Sequence, residues 1–234
     1  MNERQPGLRY PVKVGHYSSH EQLLRLLGDG RGRSLLDVGC AQGEIAIGLA
    51  QQGWSVVGVE PDQVDAEVAR ERGLQVVDGY LSDALERMDQ TFDVVLYADV
   101  LEHMSDPVGA LQQTKQLLNP QGVVVASIPN IAHLAVRLQL MAGLFTYTDR
   151  GPLDRTHLRF FTRRTVRQLF EEADYLVLSE QVTPAPIELA AAAVGIERVP
   201  RVLESANWIS AVTWPSGLAY QFLLLAKPGT PEKR

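Results

Sequence analysis

Residues 35–43 read LLDVGCAQG, in which one acid follows an apolar run and two glycines enclose three small or polar residues. Gly39 and Gly43 would let the backbone approach a ligand closely, and the helix predicted to follow would offer its N-terminal N–H groups to an anion. The Asp37 carboxylate could bind an ammonium group directly or through ordered water. A ligand that carries both charges, such as an amino acid, would suit this loop.

A second acid, Glu60, ends the apolar stretch WSVVGVE, roughly 20 residues beyond Gly39. A carboxylate at this place can accept hydrogen bonds from both hydroxyls of a ribose. NAD-binding proteins use the same device, but their G-x-G-x-x-G pattern would need glycines where this chain has Ala41 and Glu44. An NAD(P)-dependent oxidoreductase is therefore disfavoured. Asp37 and Glu60 together indicate a nucleoside joined to an amino acid, which is S-adenosylmethionine.

Alternating strands and helices are predicted to position these acids. Strands are predicted over residues 34–39, 54–60, 74–79, 91–100, 122–130, 175–183 and 218–228. Helices are predicted over residues 44–53, 62–73, 106–118, 131–144 and 162–175, and in two pieces between 184 and 210. This alternation requires crossover connections, so we predict an α/β fold with a doubly wound, mostly parallel sheet. Ligands of such sheets bind beyond the carboxyl ends of the strands.

The composition is that of a soluble globular protein, with 234 residues of which 45% are hydrophobic and 21% charged. The formal net charge of -6 disfavours nucleic acid as a partner. The single cysteine, Cys40, excludes an intrachain disulfide and a cysteine-cluster metal site. No metal ligand is predicted from the sequence, and whether a metal assists stays open. Because the sequence shows no signal-peptide core and no apolar run of membrane-spanning length, we expect a cytoplasmic monomer or homodimer without stable membrane insertion.

Several motifs resemble those of the class I S-adenosylmethionine-dependent methyltransferases, across most of residues 15–183. LLDVGCAQG is similar to the first motif of that family, with Ala41 in place of its middle glycine. VVGVEPD is similar to the second motif, FDVVLYADVLEHMSDP to the fourth-strand motif and LLNPQGVVVASIPN to the fifth-strand segment. The resemblance implies a Rossmann-like sheet of seven strands with an antiparallel last strand, and S-adenosylmethionine as the cofactor.

The resemblance also implies which residues contact the cofactor. We expect these contacts from Tyr17, Asp37, Gly39, Cys40, Ala41, Gly43, Glu60, Pro61, Asp78, Gly79, Tyr80 and Ala98. Tyr17 could instead be a core residue, and Cys40 is expected to contribute backbone contacts rather than a nucleophilic thiol. The third strand departs from the family pattern, because Tyr80 replaces the usual aspartate. Adenine could be recognised by backbone N–H groups, by Asp78 or by Asp83, and the choice among these three stays open.

ADVLEHM followed by DRTHLRFFT resembles the O-methyltransferase branch that includes ubiquinone biosynthesis and many sugar or natural-product enzymes. In that branch a Thr-His pair, here Thr156 and His157, lies near the substrate. A hydroxyl that attacks a methyl group benefits from a base with a pKa near the operating pH, and histidine fits best. His157 is the first candidate, with His103 and Asp99 as further catalytic candidates. Each could instead have a structural role in its loop or turn.

The segment 131–161 is predicted to be an insertion on the substrate side. Six arginines fall between residues 150 and 167, namely Arg150, Arg155, Arg159, Arg163, Arg164 and Arg167. Arginine suits phosphate or carboxylate, so we predict an anionic acceptor, with an exposed helix face as the alternative. The predicted helix over 131–144 carries an apolar stripe, expected to pack in the core or against a pocket: Ile131, Leu134, Ala135, Leu138 and Met141.

We therefore predict a single methyltransferase domain over residues 1–234. Its parts are a lead that folds over the cofactor (1–33), a cofactor-binding core (34–130), the insertion (131–161) and the rest of the sheet (162–228). The predicted reaction is O-methylation of a small-molecule hydroxyl on a sugar, natural product or quinone-like acceptor. The alternatives are an N-, C- or nucleic-acid methyltransferase, and a non-catalytic cofactor-binding partner domain.

Overall fold

The computed structural model describes residues 17–187, 191 and 199–229. Its strands are β1 (Ser34–Val38), β2 (Ser55–Glu60), β3 (Gln75–Asp78), β4 (Phe92–Ala98), β5 (Leu118–Pro129), β6 (Tyr175–Thr183) and β7 (Gln221–Pro228). They form one sheet in the order β3-β2-β1-β4-β5-β7-β6. The first five strands pair in parallel, and β7 runs antiparallel to both β5 and β6. The predicted sheet, with its antiparallel last strand, is confirmed.

The helices of the described chain cover the sheet and connect its strands. They are α1 (Ser19–Leu27), α2 (Glu44–Gln51), α3 (Gln63–Glu71), α4 (Leu81–Arg87), α5 (Pro107–Thr114), α6 (Leu134–Met141), α7 (Arg163–Glu172), α8 (Arg201–Thr213) and α9 (Pro215–Leu218). A 3-10 turn, Leu101–His103, follows β4. Helices α1 and α4 were not predicted from the sequence. For α1 a local signal existed, because the Ser18 hydroxyl caps the helix by accepting from the Glu21 N–H.

The central strands are apolar on both faces because helices cover both sides of the sheet. Along β1, Leu36 and Val38 pack into one buried cluster, whereas Leu35 packs into another. The chain reverses direction across the sheet at β1, which lies between β2 and β4. The loops after these three strands therefore meet at one edge of the sheet, at the point where ligands of such folds bind.

The predicted apolar stripe of the insertion does not pack as expected. Leu138 and Met141 are 55% and 84% exposed, so the prediction of core packing is wrong for them. The helix is also shorter than predicted, because Gly143 with φ +74° follows its end, and Val136 is its buried residue. Apolar periodicity shows that one face can be buried, but this short helix meets the core through a single side chain.

Two predictions fall wholly or partly on residues that the structure does not describe. Residues 1–16 of the predicted lead lie outside the described chain, as does most of the first predicted helical piece after β6. The described end of the lead contains α1, which buries Leu23 and Leu27. Within the described residues, we find no helix whose length and apolar character would suffice to cross a bilayer.

Candidate functional site

A cavity of about 580 Å³ opens beyond the carboxyl ends of β1, β2 and β4. Most of the residues predicted to act in the site line it: Tyr17, Asp37, Gly39, Cys40, Ala41, Glu60, Pro61, Gly79, Tyr80, Ala98, Asp99, His103 and His157. Gly43 and Asp78 are not among the lining residues. We call the loops after β1 and β2 the cofactor side of the cavity. The acceptor side comprises residues 98–103 together with residues 149–157.

The buried acid of the cofactor side is Asp37, which is only 2% exposed at the end of β1. Burial, and then the charges of Glu60 and Glu44, raise its pKa to about 8. A carboxyl group in this state is ready to ionise when a cation arrives, because a nearby positive charge favours the carboxylate form. The surroundings of Asp37 are thus suited to an ammonium group.

Glu60 joins the two loops of the cofactor side. One carboxylate oxygen accepts a hydrogen bond from the Ala41 N–H at 2.8 Å, and the other accepts from the Asp62 N–H at 2.9 Å. Burial raises the pKa of Glu60, and these two hydrogen bonds oppose that rise because they favour the charged form. The carboxylate is therefore fixed in orientation at the cavity wall, with acceptor capacity for further donors.

The loop after β1 depends on a left-handed backbone at three positions. Gly39, Ala41 and Gly43 have φ values of +72°, +46° and +81°. A Cβ added at Gly39 would lie 2.8 Å from a methyl carbon of Val100, so this position requires glycine. Ala41 adopts a conformation that costs an alanine free energy. Gly43 shapes the turn as the N-cap of α2, away from the cavity wall.

Cys40 carries the thiol of this loop, which could in principle act as a nucleophile. Its side chain is buried, and burial raises the pKa of the thiol above its ordinary value. A protonated thiol is a poor nucleophile. Its backbone N–H donates to the carbonyl of Val59, which ties the loop to β2. These surroundings disfavour thiol chemistry, and a backbone contact of Cys40 with the cofactor stays a prediction.

The loop after β3 differs from what the sequence suggested. Asp78 forms an ion pair with Arg70 at 2.5 Å, and this contact holds its side chain away from the cavity. The Asp83 carboxylate accepts a hydrogen bond from the Tyr80 N–H at 2.7 Å, at the start of α4. Asp78 as a cofactor contact stays a prediction, and its partner Arg70 on α3 was not visible in the local sequence. Tyr80 lies at the rim with 70% exposure.

On the acceptor side, Asp99 follows β4 with a left-handed backbone of φ +59°. Its Oδ1 accepts hydrogen bonds from the Ser127 hydroxyl at 2.6 Å and from the Gln221 amide at 2.5 Å. These donors come from β5 and β7, so the sheet itself fixes the carboxylate. Backbone strain of this kind persists only where surrounding contacts enforce it, and it is common at functional sites.

His103 and His157 are brought together although 53 residues separate His103 from Thr156. Their ring centroids lie 4.8 Å apart with an interplanar angle of 74°. The His103 Nδ1 lies 3.2 Å from the Thr156 carbonyl, and the backbone N–H groups of Leu158 and Arg159 donate to the Glu102 carbonyl, both at 2.9 Å. These contacts hold the insertion against the 3-10 turn.

The segment that carries His157 is also ordered locally. The Asp154 carboxylate accepts from the Thr156 N–H at 2.8 Å and from the Thr156 hydroxyl at 2.6 Å. Burial, and then the charge of His103, lower the pKa of His157, while Asp154 and the Pro152 backbone partly oppose that shift. The balance favours neutral imidazole.

Several further residues that line the cavity were not predicted from the sequence, among them Glu102 on the acceptor side, and Tyr220 and Gln221. Glu102 had a signal, since it stands beside His103 in LEHM, but it was not selected. Gln221 begins β7 and Tyr220 precedes it. Neither had a local signal, since only the antiparallel pairing of β7 brings this part of the chain to β5. Burial, and then the charge of Asp99, raise the pKa of Tyr220 to about 12.

Most of the arginines predicted to bind an anion contact other parts of the protein. Arg155 pairs with Asp149 at 2.7 Å, and the Arg159 guanidinium donates to the Ser105 carbonyl at 2.5 Å. Arg163 and Arg167 both pair with Glu180. Arg150 lines the cavity. Of the six arginines, Arg150 is the one among the residues that line this cavity.

Comparison with known proteins agrees with this geometry. A family model described as a methyltransferase domain matches residues 15–180. A ubiquinone biosynthesis O-methyltransferase from Alkalilimnicola ehrlichii is 33% identical over 116 residues, which cover 47% of this chain and 47% of that protein. Another, from Azorhizobium caulinodans, is 29% identical over 206 residues, which cover 84% of this chain and 70% of that protein.

The chain spans about half the length of most of the curated relatives it matches. Among solved structures, a SAM-dependent methyltransferase from Archaeoglobus fulgidus has a TM-score of 0.61 at 16% identity. The match covers 89% of this chain and 94% of that chain. At this identity the likeness concerns the fold.

Proposed function

The chain belongs to the class I S-adenosylmethionine-dependent methyltransferases, and we propose that it methylates a hydroxyl oxygen of a small molecule. The observation that carries this proposal is a single cavity. Its wall contains the two acids of the cofactor side together with Asp99, His103 and His157. A donor of methyl groups and an acceptor bound there would share one enclosed space.

The residues of the cofactor side fit S-adenosylmethionine, the cofactor that supplies a methyl group from its sulfonium. Asp37 would hold the ammonium group, because it is a buried acid with a raised pKa. Glu60 would accept hydrogen bonds from the ribose hydroxyls, since both of its oxygens are already oriented by backbone donors. The glycine loop would lie against the ligand, with the N-terminus of α2 behind it.

On the acceptor side, the protein would position the hydroxyl and remove its proton. Transfer of a methyl group is an in-line displacement, so most of the rate can come from orientation in a site that excludes water. His157 lines the cavity and is ordered by its own segment, which makes it the proposed base. Asp99 and His103 would orient the acceptor beside it.

The acceptor is proposed to be a small hydroxylated compound that carries a negative charge. Arg150 is at the cavity wall, and a guanidinium suits a carboxylate or a phosphate. The curated relatives are named as ubiquinone biosynthesis O-methyltransferases, which makes phenolic compounds reasonable members of a test panel. Sugars and other natural products with and without a phosphate group belong in the same panel.

Two measurements test the proposed function. Calorimetric titration of the purified protein should show binding of S-adenosylmethionine and of its demethylated product, and no binding of NADH. Incubation with a labelled methyl donor and the acceptor panel should transfer label to an acid-stable, alkali-stable ether. Binding of NADH without S-adenosylmethionine, or label recovered only on nitrogen or carbon, would contradict it. Equal kcat/KM for charged and uncharged acceptors would contradict the role of Arg150.

A further inference from the structure

We propose that Glu102, His103 and His157 bind a divalent metal ion on the acceptor side of the cavity. One ligand atom from each of the three residues lies within 4.8 Å of the other two. All three residues line the cavity, so an ion bound by them would face its contents. Two imidazoles and one carboxylate form a donor set of catalytic sites for divalent metals, in which further coordination positions stay open to water or substrate.

The two histidines are oriented in the way that metal ligands usually are. The Thr156 carbonyl can only accept a hydrogen bond, so the His103 Nδ1 at 3.2 Å carries the proton and Nε2 keeps its lone pair. The backbone of Pro152, which has no N–H, accepts from the ring of His157 in the same way. Donation of one ring N–H to a carbonyl fixes the tautomer and leaves the other nitrogen available to a metal.

Glu102 supplies the negative charge of the site. It is only 1% exposed, and burying a carboxylate is costly unless cations or hydrogen bonds compensate. An ion on the cavity side would add such compensation. The Glu102 carbonyl also accepts from the N–H groups of Leu158 and Arg159, which fixes its main chain relative to His157.

The present spacing is close to that of a metal site. Ligands bound at about 2.0–2.2 Å from an ion lie about 3 Å apart, so the three atoms must approach by up to roughly 2 Å. Rotation of the imidazole and carboxylate groups about their side-chain bonds supplies movement of this size.

The role of such an ion rests on the proposed function, whereas its binding does not. An ion held by these residues would coordinate the acceptor oxygen and lower the pKa of its hydroxyl. The proton would pass to the carboxylate of Asp99, whose charge acts on His157 across the same space. In the ion-bound protein His157 would serve as a ligand, and Asp99 would replace it as the base.

The binding test uses the full chain after treatment with a chelator and its removal by dialysis. Zn²⁺ and Mn²⁺ are titrated calorimetrically, and Co²⁺ is titrated with its visible absorption bands as the signal. Wild-type protein should bind one ion per chain, with Co²⁺ bands typical of nitrogen ligation. His103→Ala and His157→Ala should each weaken binding at least tenfold, and the double variant should remove it.

The matched control is His133→Asn, which keeps a capping side chain at the start of α6, outside the cavity wall. This variant should bind the ion as the wild type does. Unchanged S-adenosylmethionine affinity in all variants shows that each is folded. Two results would overturn the proposed metal site. The first is a wild-type affinity for the ion no higher than that of the double variant. The second is a loss of affinity in His133→Asn as large as in the two single histidine variants.

The metal site and the proposed function can fail separately. Binding of the ion by a protein that methylates no acceptor would remove the function and support the site. Methyl transfer at the same rate with and without chelator, in a protein that binds none of the three ions, would support the function and overturn the site.

Discussion

The cofactor side and the acceptor side of the cavity are built in different ways. On the cofactor side, a single carboxylate, Glu60, joins two neighbouring loops through backbone N–H groups. On the acceptor side, the contact between His103 and Thr156 joins segments that are 53 residues apart. The first arrangement follows from consecutive strands and turns, and the second depends on where the insertion docks.

This difference suggests a division of labour. The cofactor side is fixed by strands that are buried in the core. The acceptor side is carried by an insertion whose helix α6 exposes Leu138 and Met141. An insertion held by a few hydrogen bonds can change in sequence without disturbing the sheet. Changes on the two sides should therefore affect different kinetic quantities.

The largest effect is expected from His157→Ala on the acceptor side. His157 is the proposed base in the ion-free protein and a ligand in the ion-bound protein, so the variant loses one of these roles in either state. Loss of a general base alone costs about 10²–10⁴-fold in rate, so kcat should fall by at least about 100-fold, while the affinity for S-adenosylmethionine stays within about twofold. Steady-state kinetics and calorimetry measure the two quantities, with His133→Asn as the control. Full turnover by His157→Ala would show that His157 has only a structural role.

A smaller effect, on the affinity for S-adenosylmethionine rather than on kcat, is expected from Glu60→Gln on the cofactor side. The amide can accept through one atom only, so it cannot serve both backbone donors and the ribose hydroxyls. We expect the dissociation constant for S-adenosylmethionine to rise about 10- to 100-fold, or about 1.4–2.8 kcal/mol, with little change in kcat at saturation. Glu67→Gln, on the exposed side of α3, is the control. Equal affinities of both variants would contradict the ribose assignment.

Asp37→Asn should change stability and binding in opposite directions. The folded-state pKa is raised from 3.8 to about 8, so the folded protein binds the proton more tightly than the unfolded chain. The contribution of Asp37 to the free energy of unfolding is therefore full below about pH 4 and falls as the pH rises towards 8. The variant should lose this slope, be more stable than wild type without cofactor at pH 8, and bind the cofactor about tenfold more weakly.

Thermal denaturation without cofactor at several pH values, together with calorimetry at pH 8, measures both consequences for Asp37→Asn. Asp29→Asn, at an exposed acid before β1, is the control for the general effect of removing a negative charge. Between pH 5 and 8 the stability of the wild type should decline more steeply than that of Asp37→Asn. Equal slopes would contradict the claim that Asp37 is buried and protonated in the folded protein.

The smallest effect is expected from Ala41→Gly. Ala41 has φ +46°, and glycine adopts this conformation at lower cost, although glycine also makes the unfolded chain more flexible. The net gain should be no more than about 1 kcal/mol, seen as a slightly higher midpoint in chemical denaturation. Gly39→Ala should have the opposite sign, because its Cβ would meet Val100. Destabilisation by Ala41→Gly would show that the loop needs the alanine methyl group.

The sequence by itself determined the sheet and most of the cofactor side. Asp37 and Glu60 stand at the ends of apolar strands, and Gly39 stands in the turn that follows. These features arise from local periodicity and from the sterics of single residues. Such properties are written in contiguous sequence, so they could be predicted without knowing what packs against them.

Tertiary structure alone decided the remaining features. It paired Asp78 with Arg70, supplied Gln221 from β7 to Asp99, and brought His157 against His103. It also left Leu138 and Met141 of α6 exposed to solvent. Each of these outcomes depends on which distant segments become neighbours when the sheet closes and the insertion docks. Local spacing does not specify those neighbours, because they are selected by the packing of the whole fold.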